Sequence, residues 1–192
     1  GDCGFTAPVC LARRSSSWVR SFACPSCSVI QARSSSLVNS LPPAFGGGAL
    51  SDLGIYCVHA MIQLFGEPTR VLAASVPVST GADGSGDALC VFDGMVVELS
   101  YSKITGSPLP NEIRGEQGRL TFDSINNPAI VQVERRDGTS DERRWDKTEF
   151  NLEHEVARFR DLVNGLDSDA SDQAASLSAL RVMDAIRAAA TA

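Results

Sequence analysis

The sequence predicts an α+β fold in which a largely antiparallel open β-sheet carries helices packed on one face. Three observations carry that expectation. Apolar residues recur at three and four along 49–65, the spacing of a helix with one buried stripe. From Arg70 to Arg135 the period shortens to strand-like runs broken by turn residues, and after Leu152 the helical period returns.

The elements follow in order. Residues 1–27 show no sustained period and read as an irregular leader, so the folded domain is expected to span 28–192. Val29 to Ser35 reads as a strand, and the Pro- and Gly-rich stretch from Leu41 to Gly48 forbids a regular element. In the helix from Ala49 to Phe65, Leu53, Tyr56, Cys57, Ala60, Met61 and Leu64 fall at helical spacing, with Ser51 or Asp52 near the start and Gly66 as C-cap. Strands are expected over Arg70–Pro77, Ala88–Phe92 and Met95–Tyr101. The last two are joined by Asp93-Gly94, a pair that suits the positive φ of a tight hairpin turn. Asn111–Arg114, Arg119–Phe122 and Ile130–Arg135 continue the meander, and Leu152–Asn164 and Ala174–Ala190 read as helices, the first closed by Gly165. Ser79 to Gly86 reads as a hairpin loop, and the charged run from Asp137 to Lys147 as a solvated one.

Composition narrows the function. An apolar fraction of 43% and a charged fraction of 21% over 192 residues are those of a globular chain, and no apolar run reaches the length of a membrane span. The net charge is −6, with no basic stripe, which argues against a nucleic-acid partner. Before Asp52 the only acid is Asp2, against Arg13, Arg14, Arg20 and Arg33. This Arg- and Ser-rich opening weakly resembles a transit peptide. Cys57 and Cys90 sit in apolar runs and read as buried free thiols, which fits a reducing, cytoplasmic setting. Cys24 and Cys27 form a C-x-x-C, but Cys3 and Cys10 complete no known zinc spacing, so no metal site is expected.

At Gly46-Gly47-Gly48-Ala49-Leu50-Ser51-Asp52-Leu53-Gly54-Ile55-Tyr56 the chain resembles the glycine-rich loop and helix start of the glucose-fructose oxidoreductase, inositol dehydrogenase and rhizopine-catabolism (Gfo/Idh/MocA) family. Phe65-Gly66-Glu67-Pro68, the run Ile113 to Leu120 and the run Glu153 to Phe159 agree in order and spacing, and the string Asp52 to Val58 is most similar to the dihydrodiol and xylose dehydrogenase branch. The resemblance implies the C-terminal half of a two-domain enzyme. That half supplies contacts to a sugar, polyol or diol and a sheet face for homo-oligomerisation, while an N-terminal Rossmann domain binds NAD or NADP. No G-x-G-x-x-G follows a strand here and no Glu-Lys-Pro motif is present. The expectation is a partial chain without the Rossmann domain, which binds no dinucleotide and is inactive by itself.

Asp52, Tyr56 and His59 stand at i, i+4 and i+7, one face of a helix. Oxidation of a hydroxyl needs a group to take its proton and donors that fix the substrate. The resemblance assigns catalytic roles to Tyr56 and Asp52, leaves His59 as a substrate-contact candidate outside the motif, and adds Gly47 and Gly48, where backbone can approach a ligand closely. Each has a plainer account: Asp52 as a helix-terminus charge, Tyr56 as a core residue, His59 as a hydrogen-bonded helix residue, the glycines as a turn. The alternative function is a binding or assembly module without redox chemistry.

Overall fold

The structure is a computed structural model that describes residues 28–33, 46–106, 108–147 and 152–191. Eight strands form one sheet: β1 (Ser28–Arg33), β2 (Arg70–Pro77), β3 (Asp83–Phe92), β4 (Met95–Ser102), β5 (Asn111–Gly115), β6 (Gly118–Phe122), β7 (Ile130–Arg135) and β8 (Ser140–Arg144), in the spatial order β2-β3-β4-β1-β5-β6-β7-β8. β1 lies parallel to β4, with Ile30 opposite Leu99, and antiparallel to β5; every other neighbour pair is antiparallel. The expected α+β, largely antiparallel architecture is present. Its two meanders, β2–β4 and β5–β8, are joined through the first strand of the chain.

One π-helical turn (Leu50–Gly54) runs into α1 (Ile55–Phe65); α2 (Leu152–Val163) and α3 (Ala170–Ala190) follow the sheet. The core lies where α1 and α3 cross the inner face of β2–β4: Cys57, Val58 and Met61 of α1 and Val182, Met183 and Ile186 of α3 meet Ala88, Cys90, Val97, Leu99 and Tyr101. Phe65 closes the end of α1 edge-to-face on Phe92, ring centroids 6.3 Å apart. α2 contributes no buried residue, so two helices rather than three cover the sheet.

Several boundaries differ from expectation for physical reasons. β3 begins at Asp83, because Gly84 and Gly86 continue the strand under bulky neighbours: a Cβ at Gly86 would lie 2.5 Å from the Tyr101 hydroxyl and one at Gly84 2.4 Å from Val78 Cγ1. Only the turn after Pro77 remains of the expected loop. The charged run contains β8, whose side chains are all exposed and pair across to β7, with Gln132 donating to Glu142 at 2.6 Å. An edge strand with four charged residues of five also discourages further strand pairing. α3 begins at Ala170, one turn before the expected Ala174, behind Asp169. The expected end of β1 at Ser35 and the leader with Cys3, Cys10, Cys24 and Cys27 lie outside the described residues.

Candidate functional site

The glycine-rich segment leads into the site helix. Neither Ser51 nor Asp52 caps it: the Leu50 N–H donates to the Asp83 carboxylate at 2.7 Å, across 33 residues of chain. Gly48 (φ 131°) is buried against the same carboxylate, where a Cβ would stand 2.0 Å from Asp83 Oδ1, so only glycine fits. A glycine-rich turn at a helix N-terminus is the usual seat of a phosphate. Here an acid of the same chain occupies that amide, so these residues do not fit a dinucleotide pyrophosphate. Gly47 is partly exposed and Gly48 is enclosed by its own chain.

Asp52 and Tyr56 are exposed on the side of the helix away from the core, whereas Cys57 and Val58 are fully buried. Asp52 receives Lys103 Nζ at 2.8 Å; the lysine side chain is 17% exposed and the carboxylate 64%. Lys103 is set by a tight turn after β4, in which Ser102 Oγ accepts the N–H groups of Ile104 (3.1 Å) and Thr105 (3.0 Å), while the Lys103 N–H donates to Gly84 O at 2.8 Å. Tyr56 is 49% exposed, and among the described residues no hydrogen bond holds its hydroxyl. The account of Tyr56 as a core tyrosine is therefore wrong. That place belongs to Tyr101, which is buried between Gly54 of the helix and Gly86 of β3 and whose hydroxyl titrates far above its ordinary value because of burial and the charges of Asp83 and Asp87.

His59 is partly buried and turned toward α3. Burial lowers its pKa, and the charge of Asp172 in the first turn of α3 raises it, the first effect prevailing. The helix thus brings Asp52 and Tyr56 to one open side and places His59 at the seam with α3. Sequence reasoning missed Lys103 and Asp83, which meet the helix from positions 51 and 33 residues away and leave no local spacing to read.

A largely antiparallel sheet crossed by a glycine-led helix that presents an acid and an exposed tyrosine is an arrangement that comparison with known proteins assigns to a family. Residues 28–121 match the GFO/IDH/MocA C-terminal domain. The chain belongs to this family. It is 32% identical over 157 residues to scyllo-inositol 2-dehydrogenase (NADP(+)) IolU of Bacillus subtilis, covering 81% of this chain and 48% of that protein. Over 79 residues it is 33% identical to trans-1,2-dihydrobenzene-1,2-diol dehydrogenase of Danio rerio, covering 39% of this chain and 23% of the relative. Among solved structures, an oxidoreductase from Agrobacterium radiobacter in complex with NAD+, L-tartaric acid and magnesium superposes with TM-score 0.71 at 16% identity, over 97% of this chain and 60% of that one. KijD10, a 3-ketoreductase from Actinomadura kijaniata with TDP-benzene and NADP, gives 0.69 at 18%, over 92% and 57%. The chain thus spans about half the length of IolU or less of the other curated relatives. Among the described residues no helix is long and apolar enough to cross a membrane.

Proposed function

We propose that this chain is the substrate-binding and assembly half of an NAD(P)-dependent oxidoreductase acting on a hydroxyl of a sugar, polyol or diol. The observation that carries the proposal is Tyr56: a large, half-exposed phenol on the open side of a helix whose opposite side is core, one turn from a carboxylate already oriented by Lys103. In this role Tyr56 exchanges the proton of the reacting hydroxyl, Asp52 accepts a hydrogen bond from a neighbouring substrate hydroxyl, and Gly47 and His59 are further candidates for substrate contact. Gly48 contributes by shaping the turn. The dinucleotide is held by a Rossmann partner outside residues 28–192, since the one glycine-rich helix start among the described residues is filled by Asp83. The helix-free sheet face, where Leu72 lies opposite Leu89 and both are exposed, supports self-association through that face. The buried thiols of Cys57 and Cys90 accord with a reducing, cytoplasmic setting.

The test joins the NADP-binding half of IolU ahead of this chain and measures NADPH formation with a panel of inositols, aldoses and diols. Tyr56→Phe is expected to lower kcat by roughly 10² to 10⁴, the worth of a positioned acid or base, with unchanged circular dichroism. Activity close to that of the parent hybrid in Tyr56→Phe would exclude the proton-transfer role. A folded hybrid inactive on every substrate would favour the assembly module.

A further inference from the structure

Lys103 reaches the site from outside the helix that carries Asp52 and Tyr56. Its ammonium stands 2.8 Å from the Asp52 carboxylate, and the pair is unequally placed: the lysine side chain is largely covered, while 64% of the aspartate side chain is exposed. The covered member is also the anchored one. Ser102 Oγ accepts the N–H groups of Ile104 and Thr105, and the Lys103 N–H donates to Gly84 O in β3, so the chain leaves β4 in one fixed direction. An ion pair this open to water adds little to stability. Its consequence is chemical. Nζ carries three N–H donors and no acceptor, the carboxylate carries acceptors and no donor, and one contact between them leaves both with capacity to spare. They meet on the open side of the helix, with the exposed Tyr56 phenol one turn beyond Asp52.

A group that only donates and a group that only accepts, held in contact, are matched by a ligand atom that does both. A carbohydrate hydroxyl is such an atom: it gives its proton to Asp52 and receives a Lys103 N–H on a lone pair. A methylene does neither, and a protonated amine cannot accept and is repelled by the ammonium. Side chains four apart on a helix have Cβ atoms about 5–6 Å from one another, so a hydroxyl held at Asp52 while another reacts at Tyr56 belongs to the adjoining carbon of one small molecule. We infer that Lys103 is a substrate-contact and specificity-determining residue, which together with Asp52 reads the hydroxyl next to the reacting one and selects vicinal diols over their deoxy analogues. Lys103 takes this role only if the proposed function holds, in which Tyr56 meets the reacting hydroxyl and Asp52 its neighbour. Since Asp52 is open to water, discrimination is expected at roughly 10- to 100-fold, below the roughly 10⁴ or more of sites whose polar groups are left buried and unpaired by the analogue.

The test uses the hybrid with the NADP-binding half of IolU and measures kcat/KM for the inositol, aldose or diol it turns over best, and for the analogue of that compound with hydrogen in place of the neighbouring hydroxyl. The ratio of the two is the readout. The parent should favour the diol by roughly tenfold or more, and Lys103→Met, which keeps the length of the side chain but not its charge, should bring the ratio to within about threefold of one, chiefly through KM for the diol. Lys103→Arg should retain most of the selectivity. Asp52→Asn should lower the ratio as well, and Asp52→Asn with Lys103→Met should lower it no further than the stronger single change, because both residues contact one hydroxyl. A parent ratio near one, an unchanged ratio in Lys103→Met, or effects that multiply in the double variant would each overturn the shared contact. So would equal loss in Lys103→Arg and Lys103→Met together with altered circular dichroism of the 192-residue chain, which would make Lys103 structural. In all of these cases a kcat still lowered by Tyr56→Phe leaves the proposed function standing. A folded parent hybrid inactive on every substrate removes that function, and the role of Lys103 with it.

Discussion

The Asp83 carboxylate is the clearest long-range determinant of the site helix, and its removal has a calculable effect. It accepts the Leu50 N–H at 2.7 Å in a partly buried setting, doing from β3 what an N-cap residue does locally. Loss of a cap costs about 0.5–2 kcal/mol, and a charge-assisted hydrogen bond contributes about 1.5–3, so Asp83→Ala should destabilise the chain by about 1–2 kcal/mol. For a chain of this size that is a fall in Tm of about 2–8 °C. Asp83→Asn, which keeps an acceptor but no charge, should lose about half as much. Gly48→Ala places a methyl on the same carboxylate at positive φ and should cost about 1–3 kcal/mol in the parent. In the Asp83→Ala background much of that clash is gone, and the double variant should be more stable than additivity requires by about 1 kcal/mol. Urea unfolding followed by circular dichroism, with the m-value constant, measures all four. A change below about 0.3 kcal/mol for Asp83→Ala, or strict additivity of the pair, would refute the account of this turn.

Other consequences are as direct. Gly86→Ala drives a Cβ to within 2.5 Å of the enclosed Tyr101 hydroxyl and should cost about 1–3 kcal/mol, whereas Gly86→Ala with Tyr101→Leu should recover part of it; equal stability of parent and Gly86→Ala would show the ring is free to move. Burial raises the Cys90 thiol to about 12. With Cys3, Cys10, Cys24 and Cys27 changed to Ser, native protein at pH 8 should leave Cys57 and Cys90 unreacted with a thiol reagent until denaturant is added, and prompt labelling would contradict their burial. The pKa of His59 is below its ordinary value near 6.5, so between the two values the unfolded state binds more protons and stability rises with pH. His59→Gln should flatten unfolding free energy against pH in that window, and an unchanged slope would mean that His59 is not desolvated.

Much of the fold was legible because it is written locally. The period of Leu53, Cys57, Ala60, Met61 and Leu64 marks a helix, and Asp93-Gly94 supplies the turn that joins β3 to β4, with Gly94 at φ 74°. What failed was set at a distance. Gly84 and Gly86 look like loop residues until Tyr101 and Ile104 occupy the space above them. The β8 charges look like a solvated run until β7 offers a register. Leu99 of β4 is fully buried. Ile104 is exposed in the turn that carries Lys103, and Val96 lies on the helix-free face, opposite Val91.

The same distinction separates the members of the candidate site. Helical spacing alone placed Asp52, Tyr56 and His59 on one stripe, but it carried no information about what else reaches them. Lys103 arrives from the end of β4 and ion-pairs with the Asp52 carboxylate, which fixes its oxygens in place and suits it to orienting a hydroxyl. Asp172 arrives from α3, and its charge partly offsets the burial that lowers the His59 pKa. Of these three, Tyr56 alone has a hydroxyl that no hydrogen bond among the described residues uses. The proposed function gives proton transfer to Tyr56 and positioning to Asp52, a division that predicts a kcat effect for Tyr56→Phe and a KM effect for Asp52→Asn in the hybrid enzyme. Matching effects of both substitutions on kcat alone would show that the two act as one unit.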